Sequence, residues 1–323
     1  MNTTTSTLTF ANQWDHLLAR FAVNRMAHRV EPGLYAIGSP TPAAPVLVSA
    51  NYTLSFDALR SALAGIDAYI LVLDTDGINV WCAAGKGTFG TDELVKRIEA
   101  TGLRDKVDHR VLILPQLGAP GVAAHQVKKR TTFKVEYGPV RAADLPAYLK
   151  NHTATPEMRR VRYTLRDRLA LVPVEVIMSL PPMLIAAALI YFVGGWMSSL
   201  AVVAAVLAGS AVFPILLPWL PTHDFSTKGF ALGAVVALPF VLLSLQGNTD
   251  AAWWYRAGRA IAPLLVWPAV TAFLALNFTG SSTFTSRSGV QREIYAYVPA
   301  MAWMFASGVA LMLGLPIIRA LGG

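Results

Sequence analysis

The chain holds one cysteine, Cys82, inside the run Asn79-Val80-Trp81-Cys82-Ala83-Ala84-Gly85-Lys86. A lone thiol cannot close an intrachain disulfide, and it cannot build a multi-cysteine zinc site. Three roles remain for it: a buried core thiol, a nucleophile, or a single soft ligand to a metal. A nucleophile needs a base, and the base needs a group that orients it. His109, His125 and His152 are available, but no local spacing pairs any of them with Cys82. The small residues after Cys82 suit a broad, flat partner, whose face bulky side chains would block.

Such a thiol needs a scaffold. Apolar runs at 45–49, 68–74, 78–81, 111–114 and 132–137 read as strands, and helical patterns fill 55–64, 92–100 and 122–129. Ser55 stands where it can cap the first helix, which Gly65 stops. The second has acids in its first turn, Thr91 before it and Gly102 after it. Strands separated by helices predict a parallel sheet covered on both faces, with ligands at the carboxyl ends of its strands. Those ends carry Ser49-Ala50-Asn51, the cysteine run, Gln116-Leu117-Gly118-Ala119-Pro120-Gly121 and Gly138-Pro139-Val140-Arg141-Ala142. All are small and poor in acid–base groups, so they are expected to leave an open surface with backbone exposed.

Charge divides the chain near residue 168. Before it stand 21 Lys/Arg and 15 Asp/Glu; after it stand six and four. Burying an unpaired charge in hydrocarbon costs several kcal/mol, so the two halves read as built for different solvents. Five stretches have the roughly 20 apolar residues a span needs: 169–193, 198–220, 229–246, 258–278 and 295–317. Prolines lie in or near them, which neighbouring spans can accommodate. Arg159, Arg160, Arg162, Arg166 and Arg168 abut the first span, the position of cytoplasmic anchoring charge. That cluster accounts for much of the net charge of +8 and argues against nucleic acid as a partner. Orientation by basic loops puts the amino-terminal half inside and, with five spans, the carboxyl end outside. The first 30 residues contain no apolar core of a secretory signal, so the thiol is expected in the reducing cytoplasm. Glu175 is the one charge inside an early span and is expected to snorkel to the headgroups. No internal repeat suggests a transporter.

Some motifs fail on context. Gly85-Lys86-Gly87-Thr88-Phe89-Gly90 matches G-x-G-x-x-G, but it does not occupy the first strand–helix turn that gives the pattern its meaning. A Walker A loop would need Gly at Val80 and a hydroxyl residue at Gly87. No D-x-H-x-x-G sequence occurs, and no four-cysteine motif occurs, so the chain is not expected to hold an iron–sulfur cluster of its own.

Residues 79–86 resemble the cap-helix signature of the mercury-methylating corrinoid proteins, membrane-anchored relatives of the large subunit of the corrinoid iron–sulfur protein. The resemblance extends to 45–60, 116–130, 137–142 and 277–293, and covers about 30–320. Ser49 stands where the family favours Thr. The resemblance implies an α/β fold, a Rossmann-like parallel-sheet corrinoid-binding domain, followed by an all-α transmembrane bundle of about five helices. Together with the charge break, it gives an expected cytoplasmic corrinoid domain at 31–156, a basic juxtamembrane linker at 157–168 and a membrane domain at 169–323, preceded by an N-terminal extension at 1–30 that the resemblance does not reach. It implies a cobalamin-type corrinoid with its own base displaced and Cys82 as lower axial ligand to cobalt, on a short helix formed by 79–86. Early in such a helix the thiolate is expected to be favoured by the helix dipole. The cofactor-binding set it implies is Ser49, Asn51, Asn79, Val80, Trp81, Ala83, Ala84, Gly85, Lys86, Gln116, Leu117, Gly118, Ala119, Gly138, Pro139, Val140 and Ala142. The implied activity is methyl transfer from a methyltetrahydrofolate-linked donor to Hg(II), with electrons from a small ferredoxin carrying two four-iron clusters. Lys128, Lys129, Arg130 and Lys134 offer a basic surface for an acidic ferredoxin.

Overall fold

The computed structural model describes residues 1–246, 251–282, 284 and 286–321. Asp250, Thr283 and Thr285, counted above in the charge balance and the 277–293 stretch, lie outside them. The chain divides into two compact units, Met1–Arg162 and Tyr163–Gly323.

Unit 1 is built on a six-stranded sheet: β1 (Asn2–Thr4), β2 (Gly33–Ile37), β3 (Val46–Ala50), β4 (Ala68–Leu73), β5 (Val111–Leu114) and β6 (Lys134–Tyr137), in the order β1-β2-β4-β3-β5-β6. β3, β4, β5 and β6 pair in parallel as expected, and β1 pairs in parallel with β2. β2 runs antiparallel to β4, so the sheet is mixed rather than all parallel. The cause is connection length. The loop from β2 to β3 spans only 38–45, and a parallel crossover takes a dozen or more residues.

Alternation along the strands separates two cores. One face packs Val48, Leu71, Leu73 and Leu112 against α3 (Val80–Lys86), α4 (Thr91–Ala100) and α5 (Ala124–Thr131). The other packs Leu47, Ile70, Val72 and Ile113 against α2 (Thr53–Ala62) and α6 (Leu145–Asn151). The first thirty residues belong to this fold. β1 lies at the sheet edge, and α1 (Phe10–Arg20) is tied to α2 by His16 on Asp57 at 2.7 Å. Arg60 also donates to the carbonyls of Thr5 and Thr7 at 2.6 and 2.9 Å.

Several local expectations shift. Residues 78–81 are not a strand: Asn79 caps α3, and its side chain satisfies a helix N–H that extended backbone would not present. Ser55 lies inside α2, whose cap position is Tyr52, and Gly90 rather than Thr91 precedes α4. Residues 122–129 move to α5, because Thr132 takes a left-handed φ of 70° that ends the helix late and shortens β6.

Unit 2 follows α7 (Pro156–Arg159) and consists of α8 (Leu165–Leu169), α9 (Val172–Leu207), α10 (Phe213–Leu216), α11 (Phe225–Gln246), α12 (Trp253–Asn277) and α13 (Arg287–Ala320). Four helical stretches are long and apolar enough to cross a membrane: Leu165–Leu216, Phe225–Gln246, Trp253–Ser281 and Ser288–Ala320. The five expected spans differ from these four stretches at 193–198, where the hydropathy pattern predicts a loop. There the structure has one non-helical residue, Gly195, at φ 71° and ψ −175°, a conformation that only glycine takes without strain. It breaks the longest stretch into two apolar rods.

Buried polar groups hold this unit together. Arg168, expected among the headgroup-facing cations, is 3 % exposed. It donates to the Ile215 carbonyl at 2.7 Å and lies over the Trp219 ring. A cation meeting the last carbonyls of a helix is favoured by the helix dipole. Glu293 is also 3 % exposed, and its carboxylate accepts from the Phe225 and Ser226 N–H groups at 3.1 and 2.9 Å, closing the start of α11. Glu175 accepts from the Ser281 hydroxyl at 2.7 Å.

Candidate functional site

α3 is seven residues long, too short to hold itself in water. Its inner face, Val80, Ala83 and Ala84, is buried in the core beneath it. Its outer face carries Cys82, Gly85 and Lys86 at i, i+3 and i+4, with Trp81 beside them; Cys82 and Trp81 are half-buried, Gly85 and Lys86 exposed. Asn79 Oδ1 accepts from the Cys82 N–H at 2.9 Å, and Gly87 ends the helix at φ 89°.

The segment leading into α3 is latched by Asn51. This residue is 1 % exposed at the end of β3. Its Oδ1 accepts from the N–H groups of Thr75 and Gly77, both at 3.0 Å, and lies 2.8 Å from Thr75 Oγ1. Its Nδ2 donates to Asp74 at 3.2 Å, and the Asp74 N–H donates to Glu93 of α4 at 2.9 Å. Asn51 therefore fixes the approach to the cysteine helix from below.

Glycines near α3 divide into two kinds. A Cβ on Gly85 would meet nothing within 4 Å, so the cysteine face opens on space. Gly118 and Gly121 are closely packed: a Cβ there would lie 2.5 Å from the Phe89 ring and 2.1 Å from the Phe89 carbonyl oxygen. A Cβ on Gly138 would stand 3.1 Å from Ile113. These three serve packing of the strand-end loops, not an open surface as the sequence suggested. Beyond the end of α3 lies a cavity of about 570 Å³ lined by Gly87, Gly90, Thr91, Gly121, Ala123 and Gln126 among others.

The remaining positions separate by sheet face. Leu117 packs on the core beneath α3, and the turn Gln116–Gly118 lies against that helix. Gln116 N–H donates to the Pro139 carbonyl at 3.4 Å and its Oε1 accepts from Arg159 at 2.8 Å, joining two strand-end loops. Val140 N–H donates to the Met158 carbonyl at 2.8 Å, and Ala119 is half-buried. Ala142 packs with the α2 side of the sheet, away from α3. Ser49, 2 % exposed, falls on that same side by strand alternation and donates to the Ala50 carbonyl at 3.2 Å. The structure thus gathers Asn79 to Lys86, Gln116, Leu117 and Gly118, and separates Ser49 and Ala142 from them.

Burial pushes the Cys82 thiol above its usual range, against the opposing pull of Asn79, Lys86 and Arg25. The dipole of so short a helix does not reverse this, contrary to the sequence expectation. Arg25 was not anticipated here. The turn after α1 packs on the approach to α3: Arg29 bridges to Tyr52, and a Cβ on Gly77 would meet Arg29 at 3.5 Å and the Met26 carbonyl at 3.7 Å. Nothing in the local pattern at 25–29 marks that packing, which only tertiary folding creates. Of the basic docking group, Arg130 pairs with Asp92 at 2.5 Å and Lys134 with Glu136 at 2.9 Å, while Lys128 and Lys129 are exposed. The G-x-G-x-x-G run joins α3 to α4, two helices, rather than a strand to a helix. Among the described residues no three His, Cys, Asp or Glu side chains gather as a metal site.

A family model described as CO dehydrogenase/acetyl-CoA synthase delta subunit matches residues 20–149, within unit 1. The chain is also similar to acetyl-CoA decarbonylase/synthase complex subunit gamma of Methanopyrus kandleri, 38% identical over 128 residues, which are 39% of this chain and 27% of the relative. The same subunit of Archaeoglobus fulgidus is 34% identical over 126 residues, 38% of this chain and 26% of the relative. That of Methanocaldococcus jannaschii is 32% identical over 130 residues, 40% and 26%. The chain spans about a quarter of the length of these curated relatives.

Proposed function

We propose that this chain is a membrane-held, corrinoid-dependent methyltransferase that forms methylmercury from Hg(II), with Cys82 as lower axial ligand to cobalt. The observation that carries the reading is the outer face of α3, where a soft sulfur donor and an unobstructed glycine share one open side. It lies inside the segment matched by the family model. The residues fit a base-off, cobalamin-type corrinoid: one protein donor suffices, and Gly85 leaves a flat macrocycle room to approach. The cavity beyond α3 leaves further space for a ligand larger than the ring itself.

When bound, the corrinoid would supply a cobalt-borne methyl group and an electron-accepting metal. Cys82 would hold the cobalt through a strongly donating sulfur, and the bound group would supply the methyl in the electron-rich form that electrophilic Hg(II) requires. Its thiol is held protonated by burial, so coordination to the metal removes the proton. Asn79 fixes the helix turn that carries the sulfur, Val80, Ala83 and Ala84 anchor it, and Asn51 sets the approach. Electrons would come from a separate ferredoxin with two four-iron clusters, meeting the exposed Lys128 and Lys129, and the methyl group from a methyltetrahydrofolate-linked donor. Unit 2 would hold the chain in the cytoplasmic membrane by five passes, the break at Gly195 turning one long stretch into two.

A second reading, a membrane-bound corrinoid methyl carrier of one-carbon metabolism, is favoured by the similarity to subunits of acetyl-CoA decarbonylase/synthase complexes. One set of measurements separates them. Protein purified without oxygen is examined for cobalt and visible absorption beside Cys82→Ala, and cells lacking the chain are assayed for methylmercury. Cobalt with a Cys82-dependent spectrum and loss of methylmercury supports the first reading. The same spectrum with undiminished methylmercury leaves the carrier. Bound nucleotide without cobalt overturns both.

A further inference from the structure

α1 presents an apolar face with no partner in unit 1. Phe10, Trp14, Leu17 and Phe21 stand at i, i+4, i+7 and i+11, and they are 80, 51, 43 and 42 % exposed. Such spacing puts them on one side of the helix. The other side holds the helix to unit 1, through buried Ala19 and the His16–Asp57 bond. Val23 and Met26 continue the exposed apolar surface past the helix end, at 49 and 59 %. Soluble monomers rarely leave aromatic side chains in so regular a row.

The charges beside this row choose the occupant. Arg20, Arg25 and Arg29 are exposed at its carboxyl end. Asp15 is the sole carboxylate in the first thirty residues, and it is bonded to His28 at 2.7 Å. An apolar, aromatic face ending in arginines suits a helix lying in the plane of an anionic lipid surface, with rings at the acyl boundary and guanidinium groups among phosphates. Chain continuity supplies the proximity: unit 1 ends at Arg162, and the first apolar stretch begins at Leu165. A tethered surface needs little intrinsic affinity, because the tether keeps it at high local concentration.

We propose that α1 is an in-plane membrane helix that seats unit 1 on the anionic leaflet through Phe10, Trp14, Leu17 and Phe21. The proposal rests on the reading that unit 2 spans a bilayer. Because the turn after α1 packs on the approach to α3, where a Cβ on Gly77 would meet Arg29 at 3.5 Å and the Met26 carbonyl at 3.7 Å, seating this helix would set the distance of the Cys82 site from the lipid.

The test uses the full chain in vesicles of phosphatidylcholine and phosphatidylglycerol, with and without bromine on the acyl chains, which quenches tryptophan in lipid. Trp14 is read as the difference between the native chain and Trp14→Phe. That variant keeps seven tryptophans, six of them in unit 2, including Trp196 and Trp303 at 64 and 72 % exposure. The expected result is loss of the Trp14 component in brominated lipid. It should return with Leu17→Glu and Phe21→Glu together, which charge the face while leaving the core untouched. An unquenched Trp14 beside quenched unit 2 tryptophans overturns the proposal and leaves the membrane reading standing. In that case shielding from aqueous iodide would mean that protein, from this chain, a second copy or a partner, covers the face. Unquenched tryptophans throughout would sink the membrane reading itself, and the proposal with it.

Discussion

Replacing Asn51 by Ala tests whether the cysteine helix is positioned from beneath. The amide oxygen takes the Thr75 and Gly77 N–H groups at 3.0 Å each, at a residue 1 % exposed. Truncation strands both donors. The Thr75 hydroxyl is spared, because it also reaches the Ile78 carbonyl at 2.8 Å. A buried donor left without a partner costs about 1–3 kcal/mol, so two cost ~2–6. Water entering the space left by the amide would favour the lower half, about 3 kcal/mol. The loss falls on the segment before α3 and should appear first as local opening. Amide exchange at Thr75 and Gly77 should then quicken by about a hundredfold, as 1.4 kcal/mol is a factor of ten. Cobalt occupancy should fall too, although Cys82 is unchanged. Exchange and occupancy both equal to the native protein would refute the claim that this amide holds the approach to α3.

The remaining expectations concern the same site and the bundle. Gly85→Ala should leave thermal stability within about 0.5 kcal/mol, since the new methyl meets nothing in the apo protein, yet reduce corrinoid loading; equal loading would mean the ring does not approach this face. Gly121→Ala should do the reverse, costing several kcal/mol through the clash with the Phe89 carbonyl, and a full-stability variant would contradict the packing described. Alkylation of the apo protein at Cys82 should still be accelerating above pH ~8.5, the ordinary thiol value, because burial raises the pKa and only the thiolate reacts; a rate that levels off below that pH would reverse the sign. Glu293→Ala should destabilise unit 2 by about 2–6 kcal/mol by stranding the Phe225 and Ser226 N–H groups, measured as a lowered unfolding temperature in detergent.

Much of the scaffold was legible because its signals are local. The strand at 111–114 is a bare apolar run, and β3 and β4 alternate between two cores in a way their Val and Leu content announces. The 78–81 segment misled because Ile-Asn-Val-Trp has a strand's composition. What decides it is the Asn79 side chain accepting from Cys82, a cap that propensity does not weigh. β2 is hidden for a different reason: Gly33 opens it, and its pairing with β4 is fixed by residues 31 positions or more away in sequence. Gly118, Gly121 and Gly138 were identified as unusual but given the wrong purpose, since sequence cannot tell a glycine facing space from one pressed against Phe89 or Ile113. Asn51 was named for contact with a ligand, and the structure finds its polar atoms occupied by the chain itself.

That last difference bears on how such a site works. A seven-residue helix gains almost nothing from its own hydrogen bonds, so its place depends on three anchors: Val80, Ala83 and Ala84 in the core, the Gln116–Gly118 turn at its side, and the Asn51 latch before it. None of these occupies the outer face. The division leaves Gly85 facing open space beside a half-buried Cys82, so the outer face is held in place without being filled. Partial burial raises the Cys82 pKa, which lowers the share of reactive thiolate, and a metal that bound the sulfur would displace its proton. On the function proposed above, that arrangement would serve a metal ligand better than a reactive nucleophile, because packing rather than a neighbouring base governs the sulfur.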